Sequence, residues 1–153
     1  MINHPELPPL AGTFFARFAR FESALKAAKY RKPERGGGVS AHWDEFAHEP
    51  VVAQLFDALN DNPVAAYLIG YPPKKRVLEN DMLGWREVKS PVNMVELAAA
   101  LCRIRNNLFH GDKANPNLTR NAKLLSAGLE IMNAMLEAHN GVRQEYEFMQ
   151  EAA

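Results

Sequence analysis

Cysteine is almost absent from this sequence, whose 153 residues include only one, Cys102, inside a hydrophobic run. A single cysteine excludes an intramolecular disulfide framework and a cysteine-rich zinc site, and it fits a reducing compartment. Long apolar runs are lacking too, because no stretch approaches the roughly 18 continuous apolar residues that a membrane span needs. Residues 1–10 are rich in proline and lack the basic-then-apolar pattern of a signal peptide. We therefore expect a soluble, cytoplasmic protein with no membrane partner.

An excess of charge of either sign is also missing, since 18 basic residues are balanced by 18 acidic ones. A protein that binds nucleic acid through bulk charge is usually much more basic. Any contact with RNA should therefore be confined to a local site. A net charge near zero also removes a barrier to self-association.

The length of the chain corresponds to about one domain. A domain of this size can bury roughly 70% of its unfolded surface, and so it needs no metal or disulfide to fold. We expect a single helical domain over residues 1–153. Residues 1–12 are predicted to form an extended N-terminal arm, and residues 141–153 a frayed C-terminal tail.

The first third of the chain has the apolar spacing of helices. A helix is predicted over residues 13–31, with Thr13 as its N-cap. Its apolar face, at spacings of three and four, consists of Phe14, Phe18, Phe21, Leu25 and Ala28. After a break at Pro33 and the glycines at 36–38, Ser40 is expected to cap a short segment. Pro50 then opens a helix that contains Val52, Leu55, Phe56 and Leu59.

The middle of the chain, residues 70–91, loses this periodicity. Residues 71–76 are predicted to be an extended loop, because each proline there disfavours helix for itself and its predecessor. Leu83, Gly84 and Trp85 are expected to form a tight turn that places Trp85 in the core; a short two-stranded piece is the alternative. Lys74, Lys75 and Arg76 near Tyr71 could contact an RNA backbone, or could be a plain exposed loop.

Two further helices are predicted to close the chain. The third major helix starts near Pro91, ends around Gly111 and has an apolar stripe of Met94, Leu97, Leu101, Ile104 and Leu108. The fourth begins at Asn115 and Pro116. It has two apolar rows, so that one side of the helix could be buried in the bundle and the other against a partner. Because strand-like alternation is absent from all the long segments, we predict an all-α, up-and-down bundle of about four main helices. Short extra helices and the irregular middle segment complete it.

The string R-N-N-L-F-H-G at residues 105–111 carries the densest chemistry in the sequence. It combines a permanent cation, two amides and a group that accepts a proton near neutral pH, which suits phosphate binding or phosphodiester cleavage. At about 100° per residue, Arg105 lies on the flank of the apolar stripe, and His110 lies roughly 140° away. Asn106 and Arg103 share the face of His110. Either the helix distorts before Gly111, or two copies of it form one site.

A structural explanation of the same residues is also available. Gly111 after a helix is an ordinary C-terminal stop, and a histidine near a helix C-terminus interacts favourably with the helix dipole. Arg105 would then make a structural ion pair in a plain helical dimerisation protein.

Arg105, Asn106 and His110 together resemble the R-[N/D/H]-x-x-x-H signature of the HEPN superfamily, the higher eukaryotes and prokaryotes nucleotide-binding domains. The hydrophobic pair before His110 and the H-G-x-K that follows, which ends at Lys113, strengthen the resemblance. It implies a metal-independent endoribonuclease without a cofactor, or a non-catalytic relative that binds RNA, nucleotide or protein. It also implies a homodimer in which two motif helices form one composite cleft. An antitoxin is a further candidate partner.

Side-chain chemistry assigns roles to these residues. His110 would take the proton of a ribose 2′-hydroxyl or give one to the 5′-oxygen leaving group, and Arg105 would stabilise the developing charge on phosphate. Asn106 would orient His110 or donate to phosphate. We predict Arg105, Asn106 and His110 as catalytic residues. The predicted substrate-binding residues are Asn107, Lys113 and Arg103.

Overall fold

The structure of the protein is a computed structural model that describes residues 1–2, 7–110 and 118–152; the side chains at 109, 110, 118 and 149–152 are not described. Helices make up most of this part of the chain, and four short strands interrupt them. In chain order the elements are α1 (Ala11–Ala27), β1 (Arg31–Pro33), β2 (Val39–Ala41), α2 (Trp43–His48), α3 (Pro50–Ala53), α4 (Phe56–Asp61), α5 (Ala66–Gly70), β3 (Lys75–Glu79), β4 (Met82–Arg86), α6 (Met94–His110), α7 (Leu118–Ala138) and α8 (Asn140–Ala152).

The predicted all-α fold is wrong, because two antiparallel hairpins are part of the structure: β1 pairs with β2, and β3 pairs with β4. Fold class is therefore mixed. The strands have three and five residues, too few for alternation to show beside the longer helical periods. Only for residues 70–91 does the sequence raise a two-stranded alternative, and there the structure has β3 and β4.

The core forms around α1, as the sequence predicts. Phe14, Phe18, Phe21 and Leu25 are buried, and Trp43 of α2 stacks on Phe21 with ring centroids 5.1 Å apart. Trp43 also donates its indole N–H to Glu22 Oε2 at 2.9 Å, so that its polar atom is satisfied inside the core.

The ends of α1 differ from the prediction. The helix begins at Ala11 after Leu10, whose φ of 72° is left-handed, so that Thr13 is not its cap. It ends at Ala27 in a Schellman motif, in which Tyr30 N–H donates to Leu25 O and Lys29 N–H to Lys26 O. Lys29, with φ 74°, fills the position that glycine usually occupies, and no sequence signal marked this end.

Other local predictions need correction as well. Ser40 lies in β2, and α2 is capped by His42, whose Nδ1 accepts from Glu45 N–H at 3.1 Å. The single helix predicted after Pro50 is divided into α3 and α4. Trp85 lies within β4 and is 38% exposed, so it is neither in a tight turn nor in the core. The turn of that hairpin is made by Asn80 and Asp81, both with positive φ (49° and 59°), as type I′ turns require.

The last helices bury more than the sequence predicts. α7 packs against α1, α3, α5, α6 and α8 of the same chain; its row of Leu124, Ile131 and Met135 is buried, while Leu129 and Leu136 of the other row are partly buried. Residues 141–153, expected to be a frayed tail, largely belong to α8, which packs on α1 with Val142 fully buried. Across the described ranges, no helix is both long and apolar enough to cross a membrane.

Candidate functional site

The motif helix α6 is continuous from Met94 to His110. At its start, Asn93 Oδ1 accepts from Glu96 N–H at 2.9 Å, and Glu96 Oε2 accepts from Val92 N–H at 2.8 Å. This arrangement resembles a capping box and defines where the helix begins. The apolar stripe of α6 is buried from Met94 to Ile104 and half-buried at Leu108. The register of the motif on the body of the protein is therefore set by packing.

Arg105 and Asn106 form a pair at the surface of α6. Arg105 is half-buried and Asn106 is exposed, and Arg105 Nη1 donates to Asn106 Oδ1 at 3.1 Å. The amide oxygen of Asn106 therefore helps to hold the guanidinium, while its amide nitrogen carries two donors of its own. Half-burial agrees with the predicted place of Arg105 on the flank of the apolar stripe.

His110 is the last residue of α6, and its side chain lies outside the described atoms; Lys113, Gly111, Asn115 and Pro116 lie outside the described residues. Because α6 remains helical up to residue 110, positions 105 and 110 are about 140° apart around the helix axis. The distorted helix that would bring them together on one face is not observed.

Arg103 and Asn107, one turn apart on α6, bind the chain itself. Arg103 Nε donates to Pro73 O at 3.3 Å, and Asn107 Nδ2 donates to Lys74 O at 3.0 Å. Burial lowers the pKa of Arg103. Both were predicted to bind substrate, and in the structure both hold the segment before β3.

Arg120, near the start of α7, completes this anchor. Its Nη2 lies 3.5 Å from both Tyr71 O and Pro72 O. Sequence reasoning missed it, because its acceptors are backbone carbonyls almost fifty residues away in sequence, and every residue type presents a carbonyl. Three side chains from two helices therefore fix residues 71–74.

Aromatic rings and cations alternate beside this anchor. The Tyr67 and Tyr71 rings lie 4.9 Å apart, and Lys123 Nζ lies 5.5 Å from the Tyr67 ring centroid. On the hairpin, Arg76 Cζ lies 4.8 Å from the centroid of the Trp85 ring. The sequence indicated Tyr71 beside residues 74–76, but it did not indicate Tyr67, Trp85 or Lys123, which become neighbours only through the fold.

The cavity between the anchored segment and the two helices is small, with a volume of about 20 Å³, room for roughly one water molecule. Seven residues line it: Pro73, Ile104, Asn107, Leu108, Asn121, Leu124 and Leu125. It is too small to hold a nucleotide, so a polynucleotide would have to bind across the surface.

Cys102 and the acidic residues offer no second site in the described part of the chain. Burial, the largest cause, raises the pKa of the Cys102 thiol to about 12, which leaves it protonated and a poor nucleophile at neutral pH. Within the described ranges there is no group of three or more histidine, cysteine, aspartate or glutamate residues placed to hold a metal ion.

The chemistry near the end of α6 is therefore a surface arrangement of cations, amides and exposed rings. Arg105 and Asn106 are on α6 itself, while Arg103, Asn107 and Arg120 attach the neighbouring hairpin. Comparison of the chain with protein-family models, with curated proteins and with solved structures gives no match.

Proposed function

We propose that this protein is a metal-independent endoribonuclease of the HEPN type, which acts as a homodimer through its motif helix. The observation that supports this most is the continuity of α6 to His110. A straight helix separates positions 105 and 110 by about 140°, and a second α6 across a two-fold axis would supply the missing partner for each. The half-burial of Arg105 beside Asn106 is consistent with a guanidinium held in place for an anion.

The proposed reaction uses the 2′-hydroxyl of the RNA as the nucleophile. One His110 removes the hydroxyl proton, the 2′-oxygen attacks the adjacent phosphorus, and the P–O5′ bond breaks. The leaving 5′-oxygen takes a proton from a water molecule, and the proton that His110 removed neutralises the hydroxide so formed. Arg105 stabilises the charge on the phosphorane oxygens. The products are a 2′,3′-cyclic phosphate and a 5′-hydroxyl, and DNA, which lacks the nucleophile, is not cut.

Asn106 has a narrower role in this proposal than the sequence alone gave it. Its oxygen accepts from Arg105, so it positions the guanidinium, and its N–H donors can bind phosphate. Arg103 and Asn107 act through the anchored segment at 71–74. They shape the surface beside the site and do not need to touch the RNA.

Cleavage of structured RNA in the presence of a chelator tests the activity. The purified protein should produce fragments with 2′,3′-cyclic phosphate ends, and His110→Ala should abolish them while circular dichroism shows unchanged helicity. Cleavage that survives His110→Ala, or that requires a divalent metal, would contradict the mechanism.

Mixing two inactive variants tests the composite site. If Arg105 from one subunit works with His110 from the other, Arg105→Ala mixed with His110→Ala should recover activity, because about half of the dimers in an equal mixture carry one intact pair. Each variant alone should stay inactive. A mixture as inactive as its components, although mass spectrometry shows mixed dimers, would assign both residues to one subunit.

A non-catalytic RNA-binding module is the second candidate. It is favoured by the anchoring contacts of Arg103 and Asn107, because two residues of the motif region bind the protein's own backbone. If the wild-type protein binds RNA but yields no cleavage product that depends on His110, this alternative is correct.

A further inference from the structure

Most of α6 and the first half of α7 carry basic residues and no acidic ones. From residue 97 to 110 and from 118 to 129 the sequence has no aspartate or glutamate, but it contains Arg103, Arg105, Arg120 and Lys123. Residues 71–89 add five cations against three acids. This end of a chain with zero net charge is therefore strongly positive.

The contacts described above connect these cations into one surface, which we call the basic strip. It runs from Lys123 and Tyr67 through Tyr71 to the β3–β4 hairpin, where Arg76 and Trp85 lie on one face and Lys75 lies on the other, because successive strand residues point to opposite faces. Its continuity comes from the Tyr67–Tyr71 ring contact, the carbonyl anchors of Arg120 and Asn107 and the Arg76–Trp85 contact.

Two aromatic rings of the basic strip face solvent. Tyr71 is 58% exposed and Trp85 is 38% exposed, whereas Trp43 is 8% exposed in the core. Complete burial of the ring therefore does not account for Trp85, whose indole covers the part-buried guanidinium of Arg76 and leaves part of its own surface to solvent. Exposed rings between cations are the arrangement that binds single-stranded nucleic acid, by stacking on bases and contacting phosphates.

Like charges also face each other across the hairpin. Lys75 pairs directly with Arg86 in the β3–β4 register, which is unfavourable by itself. Arg86 reaches diagonally across to Glu79 on β3, and Lys74 lies 3.7 Å from Glu87. An anion near Lys75 would relieve the repulsion that remains.

We propose that the basic strip binds single-stranded RNA and guides it to the end of α6. The inference rests on the proposed function, since it gives that site its substrate-binding surface. Charge decides in favour of RNA over a protein partner: an apolar partner would match Leu78 and Leu83 at the hairpin tip, but not the row of cations between Lys123 and Lys75.

Binding of a 2′-O-methyl oligouridylate tests the proposal without cleavage, because the blocked hydroxyl cannot attack. Binding should quench the tryptophan emission of the wild type, and the quench should disappear in Trp85→Phe, which keeps Trp43 as an internal reference. Trp85→Ala should weaken binding about fivefold to a hundredfold, the range for one stacked base. Lys75→Glu should weaken it about fivefold or more at low salt.

Lys32→Glu is the matched control, because Lys32 is an exposed strand lysine of the other hairpin. It should leave the affinity unchanged. Equal weakening by Lys32→Glu and Lys75→Glu, or unchanged affinity in both Trp85→Ala and Lys75→Glu, would overturn the proposal. So would a concentration-dependent shift of Trp85 emission without RNA, since a second copy would then cover the strip.

The outcomes separate this inference from the proposed function. If RNA binding depends on Lys75 and Trp85 but no cleavage depends on His110, the role of the basic strip is supported and the nuclease activity is refuted. If cleavage depends on His110 but RNA affinity is unchanged by substitutions at Lys75 and Trp85, the nuclease activity is supported and the role of the basic strip is refuted.

Discussion

At the scale of single residues, Gly128 shows how closely α7 is packed. A Cβ at this position would lie 2.7 Å from Phe14 Cε2 and 3.1 Å from Leu101 Cδ1. Helices α1, α6 and α7 therefore meet at Gly128, where α7 has no side chain. The glycine interrupts an otherwise apolar row of α7, and only the fold explains it.

Gly128→Ala should destabilise the protein by about 1–3 kcal/mol, the usual cost of overpacking a core, despite the better helix propensity of alanine. Thermal or urea unfolding measures the change. Gly12→Ala in α1 is the control, because a Cβ there meets nothing within 4 Å, and it should leave stability unchanged or slightly raised. Equal effects in both variants would show that the contact with Phe14 is not tight.

Tyr30 is the second residue whose role appears only in the structure. Its hydroxyl donates to Glu49 Oε1 at 2.9 Å and lies 2.9 Å from His139 Nε2. Because His139 Nδ1 accepts from Val142 N–H at the start of α8, the neutral ring would carry its proton on Nε2. One hydroxyl therefore connects the end of α1, the start of α3 and the cap of α8.

Burial, and then the hydrogen bond to Glu49, raise the pKa of Tyr30 to about 12, while tyrosine in an unfolded chain ionises near pH 10. The native state thus holds this proton more tightly, and the stability it contributes is present below pH 10 and is lost as the pH rises through 12. Tyr30→Phe should lower stability at pH 7 by about 1 kcal/mol and reduce the further loss above pH 10. Urea unfolding at several pH values checks this; parallel pH profiles would contradict it.

At the scale of elements, the anchor of the β3–β4 hairpin is the main feature that the sequence could not provide. The sequence predicts that Arg103 and Asn107 bind substrate, because both are polar and lie near the motif. Their acceptors are backbone carbonyls some thirty residues away in sequence, and every residue type presents a carbonyl. No side-chain pattern could therefore identify the partner.

Replacing both anchors, by Arg103→Met with Asn107→Leu, should loosen the hairpin without unfolding the protein. Each lost hydrogen bond is worth about 0.5–1.5 kcal/mol, and amide hydrogen exchange in residues 75–86 should accelerate selectively. Arg105→Met, on the other side of α6, should leave that exchange unchanged. If exchange of the hairpin is the same in all three proteins, other contacts hold it.

The helices were more predictable than the strands for a physical reason. Long apolar periods are repeated over several turns, so that α1 and α6 follow directly from their stripes of Phe14 to Leu25 and Met94 to Leu108. The strands span one or two periods only, and the pairing of β3 with β4 depends on Asn80 and Asp81 adopting left-handed conformations without glycine. For the site, the sequence provides Arg105 and Asn106, but the neighbours that only the fold brings close, Trp85 and Arg120, could not be predicted.

At the scale of the whole molecule, zero net charge conceals a separation of charge. The acid-free parts of α6 and α7 and the β3–β4 hairpin form a positive end, which leaves a negative balance elsewhere. Neutral composition argued for a local RNA contact only, and the proposed basic strip is such a contact. Salt should therefore affect RNA affinity even though the protein as a whole is neutral.

If about four cations of the strip contact phosphates, the logarithm of RNA affinity should fall with the logarithm of salt concentration with a slope of about −3. Affinity would drop about fiftyfold between 50 and 200 mM salt, and Lys75→Glu should reduce the slope by about 0.7 or more. Anisotropy titrations with the 2′-O-methyl oligonucleotide measure it. A slope near zero would mean that stacking, without phosphate contacts, carries the binding.

The protonated state of Cys102 makes the native protein, in practice, a chain without a reactive thiol. Reagents that attack thiolates would react very slowly with Cys102, because its pKa is about 12. A cysteine introduced at the exposed hairpin residue Met82 would thus be the single attachment point for a spin label, with Cys102 left in place. The distance between two such labels would measure how two copies are arranged, and so whether their α6 helices face one another.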